Sequence, residues 1–238
     1  MSKKLMQLYF DLIYTPLYDL TVAQTSPYQR LQGECIDKLQ FESSDSVLCV
    51  GVGTGNEIIN ILERNCDLRI VGLDTSPKAL RRAYRKLTRR GKEIAVFQMD
   101  AHKLEFADES FDKVVCVHVM GFLADDRKAT QEIMRVLKIR GQFIITYPSG
   151  AGSFELGGEI MRSAWRNLRS GGYGKAAKEC FASIAAGIAY APGACWVRPR
   201  QGFYSHEHLK GILDGLGLRT YHIEEDRAYQ DFLVYGEK

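Results

Sequence analysis

The chain has 238 residues, which is enough for one large domain or two small ones with a buried core. Hydrophobic residues make up 45% and charged residues 26% of it, a composition that excludes disordered and fibrous proteins. The formal net charge of +3 does not by itself indicate nucleic acid. The six cysteines form no C-x-x-C pair and no zinc-spaced Cys/His run, so we expect reduced thiols and no metal site.

The first 45 residues precede the first predicted strand. Asp11 and Asp19 interrupt this segment before a long apolar run develops, so we expect no cleavable signal and a cytoplasmic location. The segment is rich in aromatic residues, and Tyr14 and Tyr18 are candidates for lining a site, with plain hydrophobic packing as the alternative.

From Ser46 onward, short β-branched runs alternate with amphipathic stretches, which is the pattern of βα units in a parallel sheet. Ser76 and Pro77 form a helix start, since serine caps a helix and proline suits its first turn. The predicted helices are 77–90, 125–137 and 206–216. The predicted strands are 47–50, 69–73, 94–98, 113–117, 142–147, 218–224 and 231–235, the last two joined as an antiparallel hairpin.

The insert at 151–205 separates the fifth strand from this hairpin, and we interpret it as a substrate lid. Arg162, Arg166 and Arg169 are spaced i, i+4 and i+7 in it, beside apolar residues. This spacing fits an amphipathic helix on an anionic membrane surface, or an ordinary lid helix with a solvated stripe.

The longest uncharged apolar stretch, 180–196, also lies in the insert. It contains Gly187, Pro192 and Gly193, which we expect to break a helix before it reaches the ~20 residues that span a bilayer. We therefore predict no transmembrane segment.

A glycine-rich turn follows the first predicted strand directly. Gly51, Gly53 and Gly55 permit positive φ and leave no Cβ between the backbone and a nucleotide at the strand end, where a helix N-terminus also begins. The spacing is G-x-G-x-G, because Asn56 stands where the dinucleotide fingerprint has its third glycine.

Two carboxylates end the next two strands. Asp74 lies 23 residues after Gly51, where it can accept hydrogen bonds from ribose hydroxyls, or instead cap the helix after Ser76. Asp100 can accept from an adenine amine beside Ala101, or be a simple turn residue.

In order and spacing these motifs resemble class I S-adenosylmethionine-dependent methyltransferases of the small-molecule, quinone- or phospholipid-type branch. The resemblance implies a Rossmann-like α/β fold: a seven-stranded, mostly parallel sheet with an antiparallel terminal hairpin and helices on both faces. By the same resemblance, residues 1–238 form one domain. Its parts are an N-terminal helical cap (1–45), a cofactor-binding core (46–150), the lid insert (151–205) and a terminal helix with the hairpin (206–238).

The resemblance also implies a cofactor, S-adenosylmethionine, with S-adenosylhomocysteine as its product. The implied cofactor contacts are Gly51, Val52, Gly53, Gly55, Asp74, Thr75, Asp100, Ala101 and His118. One departure is Cys49, since the family usually has Asp or Glu there, near the methionine ammonium. That contact is open to another carboxylate or to a backbone carbonyl.

Methyl transfer from a sulfonium is an in-line displacement that mainly requires alignment, and a base is needed only when the acceptor arrives protonated. His118 ends the fourth predicted strand and is the main candidate, either as a base or as a pocket wall. Tyr18 and Tyr204 are further catalytic candidates.

Candidate contacts to the acceptor come from the N-terminal segment and the insert. Aromatic side chains offer an apolar wall, and two arginines that flank Pro199 suit an anionic or carbonyl-bearing acceptor, unless they face water. These candidates are Tyr14, Trp165, Trp196, Arg198 and Arg200.

Three other functions fit parts of the sequence. An RNA or protein methyltransferase is favoured by the basic helix 77–90 and opposed by the absence of N-P-P-[YF] after the fourth strand. A nicotinamide-dependent oxidoreductase is opposed by Asn56 and Asp100, and a non-catalytic scaffold is supported only by Cys49. We therefore predict a small, hydrophobic acceptor and no nucleic-acid partner.

Overall fold

The protein is described here by a computed structural model. The structure describes residues 8, 11–12, 15–20, 23, 25–64, 67–92, 94–149, 153–194, 203–226 and 231–238. The helices are α1 (Thr15–Tyr18), α2 (Ser26–Asp37), α3 (Asn56–Arg64), α4 (Pro77–Thr88), α5 (Asp126–Val136), α6 (Ser153–Arg169), α7 (Tyr173–Ala194) and α8 (His206–Leu213). The strands are β1 (Ser46–Val50), β2 (Arg69–Asp74), β3 (Ala95–Gln98), β4 (Phe111–Cys116), β5 (Leu137–Pro148), β6 (Thr220–Asp226) and β7 (Asp231–Glu237).

The seven strands form one sheet in the order β3-β2-β1-β4-β5-β7-β6. The pairs from β3 through β5 are parallel, and β7 pairs antiparallel with both β5 and β6. This arrangement confirms the predicted Rossmann-like sheet with its terminal hairpin.

Two hydrophobic layers cover the two faces of the sheet, as the alternation of side chains along β1 illustrates. Val47 and Cys49 pack into the layer that holds α2, α3 and α4, whereas Leu48 and Val50 pack into the layer that holds α5 and α8. The central strands are therefore buried on both sides, as a parallel sheet requires.

Strand β5 begins earlier than predicted. Leu137 pairs with Phe111 as soon as α5 ends at Val136, and a register shift on β4 follows between Phe111 and Lys113. The predicted strand at 142–147 therefore missed the first part of β5, which is half exposed and lacks the apolar signal.

The insert forms two helices, and the prediction that 180–196 is broken internally was wrong. Helix α7 runs for 22 residues and includes Gly187, Pro192 and Gly193. Pro192 lies in the last turn of α7, so the hydrogen bond that its missing N–H removes is one of the last in the helix, and a helical glycine costs only ~1 kcal/mol. Helix α6 packs on α7 and α2, and α7 also contacts α1. Among the described residues, no helix combines the length and apolar character of a membrane span.

Candidate active site

A cavity of about 400 Å³ opens at the carboxyl ends of the parallel strands. This is the edge at which open α/β sheets bind ligands. Of the predicted cofactor residues, Gly51, Val52, Gly53, Asp74, Thr75, Asp100, Ala101 and His118 line it. Thr15, Tyr18, Val50, Thr54, Glu57, Leu73, Ser76, Ala79, Met99, His102, Val117, Val119, Phe122, Leu123 and Ala124 complete the lining.

The three glycines of the turn all have positive φ but meet different surroundings. A Cβ on Gly51 would lie 2.2 Å from Val119 Cγ2, and a Cβ on Gly55 would lie 3.1 Å from Ala83 Cβ. A Cβ on Gly53 would meet nothing within 4 Å. Gly51 and Gly55 thus allow close packing within the protein, and Gly55 does not line the cavity. Gly53 leaves a space that a ligand can fill.

Asp74 connects the glycine turn to the start of α4. Its Oδ2 accepts a hydrogen bond from Gly53 N and its Oδ1 accepts one from Ser76 N, each at 2.8 Å. Burial raises the pKa of the Asp74 carboxyl, and these N–H donors oppose that rise. The Thr75 backbone N–H donates to this carboxylate as well, and because a carboxylate has about four acceptor sites, it can serve the turn and also accept from a ribose hydroxyl.

Asp100 is paired with His102, a residue that the sequence analysis did not single out. Asp100 Oδ1 accepts from His102 N at 2.9 Å and lies 2.5 Å from His102 Nδ1. His102 Nε2 accepts from Asp125 N, so the ring proton is on Nδ1 and points to Asp100. The Asp-Ala-His spacing could have indicated this pair.

His118 has a left-handed backbone, with φ 58°, directly after β4. Its N–H donates to Thr146 Oγ1 at 2.9 Å, and its ring stacks on Tyr28 with centroids 5.5 Å apart. Its Nδ1 lies 3.0 Å from Oδ2 of Asp231, a buried carboxylate at the start of β7. No local signal links residues 118 and 231, because the sheet topology alone brings them together.

Glu57 is a second residue that the sequence analysis missed. It lies in the first turn of α3, lines the cavity and is buried. Tyr28 and Gln32 of α2 both donate hydrogen bonds to its Oε1. In sequence Glu57 is indistinguishable from an ordinary acidic residue in the first turn of a helix.

The N-terminal cap reaches the cavity through α1, which supplies Thr15 and Tyr18 to its lining. Two cations of α4 hold this segment. Arg82 donates to Thr15 O at 2.8 Å, and Lys86 donates to Asp19 Oδ1 at 2.8 Å. These two members of the basic helix therefore help to hold the N-terminal segment over the cavity.

Two of the remaining candidates, Tyr204 and Trp165, lie away from the cavity. Tyr204 is buried in the core, where its hydroxyl donates to Asp126 Oδ2 at 2.7 Å. Burial and this carboxylate raise the pKa of Tyr204, so the position argues against its role as a base. Trp165 lies on α6 with 60% of its surface exposed. Tyr14, Trp196, Arg198 and Arg200 lie outside the described residues, and their roles stay predictions.

The three cysteines described as buried are Cys35, Cys49 and Cys116. Burial raises the pKa of the Cys49 thiol, and the nearby charge of Glu57 raises it further. In the described part of the chain, no three His, Cys, Asp or Glu side chains group as metal ligands.

Comparison with known proteins agrees with this geometry. Residues 48–145 match the family described as "Methyltransferase domain". Over 120 residues the chain is 31% identical to the putative methyltransferase YrhH of Bacillus subtilis, covering 50% of this chain and 67% of that protein. Over 129 residues it is 31% identical to a demethylmenaquinone methyltransferase of Thermus thermophilus, covering 53% of this chain and 59% of that protein.

A solved structure supports the fold over the whole chain. A putative S-adenosylmethionine-dependent methyltransferase of Methanococcus maripaludis superposes with a TM-score of 0.56 at 20% identity, covering 99% of this chain and 91% of that one. The sheet order, the strand-end cavity, the matched domain and the B. subtilis relative all lead to one assignment. The chain belongs to the class I S-adenosylmethionine-dependent methyltransferases.

Proposed function

We propose that this protein transfers a methyl group from S-adenosylmethionine to a small, hydrophobic acceptor. The supporting observation is that the glycine turn, Asp74, Asp100 and His118 all line one cavity. The space above Gly53 fits a ligand that lies against the backbone. When bound, the cofactor supplies an activated methyl group on its sulfonium.

The lining of the cavity supports this kind of acceptor. Val119, Phe122 and Leu123 contribute apolar side chains near His118, and a volume of about 400 Å³ is in the range of small-ligand sites. The T. thermophilus relative is named a demethylmenaquinone methyltransferase. In our proposal Asp74 holds the ribose, Asp100 and Ala101 hold the adenine, and His118 faces the acceptor.

The test of this proposal is calorimetric titration of the purified protein with S-adenosylmethionine and S-adenosylhomocysteine. We expect both to bind, and we expect Asp74→Ala to weaken both by about 1.5–3 kcal/mol, the usual loss for hydrogen bonds to a charged acceptor. Asp74→Ala also loses the hydrogen bonds from Gly53 N and Ser76 N. A thermal melting curve without ligand therefore serves as the control, because it measures the resulting loss of stability. Binding of NADH with no heat from either sulfur compound would refute the proposal.

We also propose that the insert rests on an anionic membrane surface, where hydrophobic acceptors concentrate. Met161, Trp165, Phe181 and Ile184 expose between 60% and 69% of their surfaces on α6 and α7. Helices that lie on anionic lipid combine exposed aromatic and aliphatic side chains with cations. A dimer that buried this surface would bring two cationic faces together, and these faces repel each other. The exposed cations here are Arg162, Arg166, Arg169, Lys175 and Lys178.

Sedimentation with vesicles tests this surface. We expect the protein to bind equimolar phosphatidylglycerol–phosphatidylcholine vesicles and to bind pure phosphatidylcholine several-fold more weakly. The double variant Trp165→Ser/Phe181→Ser should lose most of this binding, while Tyr84→Ser, at an exposed aromatic on α4, should not. Unaltered binding by the double variant would contradict the proposal, and so would a wild-type dimer that the double variant dissociates.

A further inference from the structure

Glu57 is a carboxylate buried at the wall of the cavity. Only 9% of the residue is exposed, and it shares the lining with Gly51, Gly53 and Thr54. It lies in the first turn of α3, where the helix N-terminus favours negative charge. The position is therefore suited to an ionised carboxylate that faces a ligand.

The groups that hold Glu57 are neutral. Tyr28 OH donates to Oε1 at 3.1 Å, and Gln32 Nε2 donates to the same atom at 2.6 Å. Asn60 Nδ2 donates to Gln32 Oε1 at 2.9 Å, which fixes the orientation of the Gln32 amide. Among the described residues, no lysine or arginine forms an ion pair with Glu57. A cationic ligand would compensate for the buried charge, which neutral donors offset only in part.

The sheet order places Glu57 at one end of the cavity. Asp100 follows β3 and Asp74 ends β2, whereas Glu57 follows β1 and lies beside His118, which follows β4. Burial raises the pKa of Glu57, and the hydrogen bonds from Tyr28 and Gln32 oppose that rise. A ligand with adenine at Asp100 and ribose at Asp74 extends its remaining part across β1 toward Glu57. In S-adenosylmethionine that part carries the sulfonium and the ammonium of methionine.

We infer that Glu57 binds the ammonium group of the methionine moiety. This inference rests on the proposed cofactor, and it adds the residue that recognises the amino-acid end. Cys49, on the neighbouring strand, is a buried thiol close enough to be affected by the Glu57 charge. The carboxylate of this chain thus comes from α3 and not from β1.

Calorimetry with three ligands tests the inference on wild type and Glu57→Gln. S-adenosylmethionine carries sulfonium and ammonium, S-adenosylhomocysteine carries only the ammonium, and 5′-methylthioadenosine carries neither. We expect Glu57→Gln to weaken the first two by a similar factor, ~10–100-fold, because each loses one charged hydrogen bond. Binding of methylthioadenosine should change less than about twofold on the same principle.

Glu63→Gln is the matched control, since it makes the same change at an exposed position of the same helix. If Glu57→Gln does not fold, Glu57→Asp keeps the charge but shortens its reach, and should weaken the same two ligands selectively. Equal weakening of all three ligands would make Glu57 a structural residue and overturn the inference. Weakening of S-adenosylmethionine alone would assign Glu57 to the sulfonium and also overturn it. A wild type that binds none of the three would instead refute the proposed function.

Discussion

Replacing Gly53 with alanine is expected to abolish detectable cofactor binding while the protein remains folded. A Cβ at this position meets no protein atom within 4 Å, so the added methyl occupies the cavity and not the core. The backbone at Gly53 has φ 50°, and an alanine there costs ~1–2 kcal/mol, which a domain of this size tolerates. Titration with S-adenosylhomocysteine, beside a thermal melt of each variant, measures both effects.

Gly91→Ala is the matched control for this substitution. Gly91 also has positive φ, 68°, and open space around its Cβ position, but it follows α4 outside the cavity lining. Both variants should lose similar stability, and only Gly53→Ala should lose the ligand. Normal affinity in Gly53→Ala would show that the ligand does not lie against this turn.

The sequence was sufficient for the parallel sheet, because each central strand has its own apolar run and each run is followed by a turn or cap signal. The start of α4 is an example, since Ser76 Oγ accepts from Ala79 N as its N-cap position predicts. The start of β5 was not predictable in this way. Leu137 joins the sheet by pairing with Phe111, a contact that depends on the neighbouring strand and not on the local pattern.

The residues of the candidate site also differ in whether a local sequence pattern could predict them. That the glycine turn, Asp74 and Asp100 line one cavity was predictable because each follows its own strand, and parallel strands bring their carboxyl ends together. Tyr28 and Asp231 were not, because they approach His118 from α2 and from the last strand of the sheet. Tyr204 shows the converse error: a tyrosine beside a helix cap suggests a reactive group, yet its hydroxyl is bound to Asp126 within the core.

Substitution of His118 is expected to lower turnover ~10²–10⁴-fold for an acceptor that must lose a proton, which is the usual contribution of a general base. His118→Asn is the appropriate variant, because asparagine tolerates the left-handed backbone at this position. The turnover rates of the wild type and His118→Asn are compared with a hydroxylated aromatic acceptor that the wild type methylates.

Asp231→Asn tests the carboxylate behind the ring. Asp231 Oδ2 lies 3.0 Å from His118 Nδ1, so the carboxylate helps to fix the orientation of the ring. Removing the charge while keeping the shape should lower the maximal rate, but less than His118→Asn does, because the ring itself remains in place. Affinity for S-adenosylhomocysteine should stay close to that of the wild type in Asp231→Asn. A maximal rate that is unchanged in both variants would make His118 a wall of the acceptor site and assign the proton to another group.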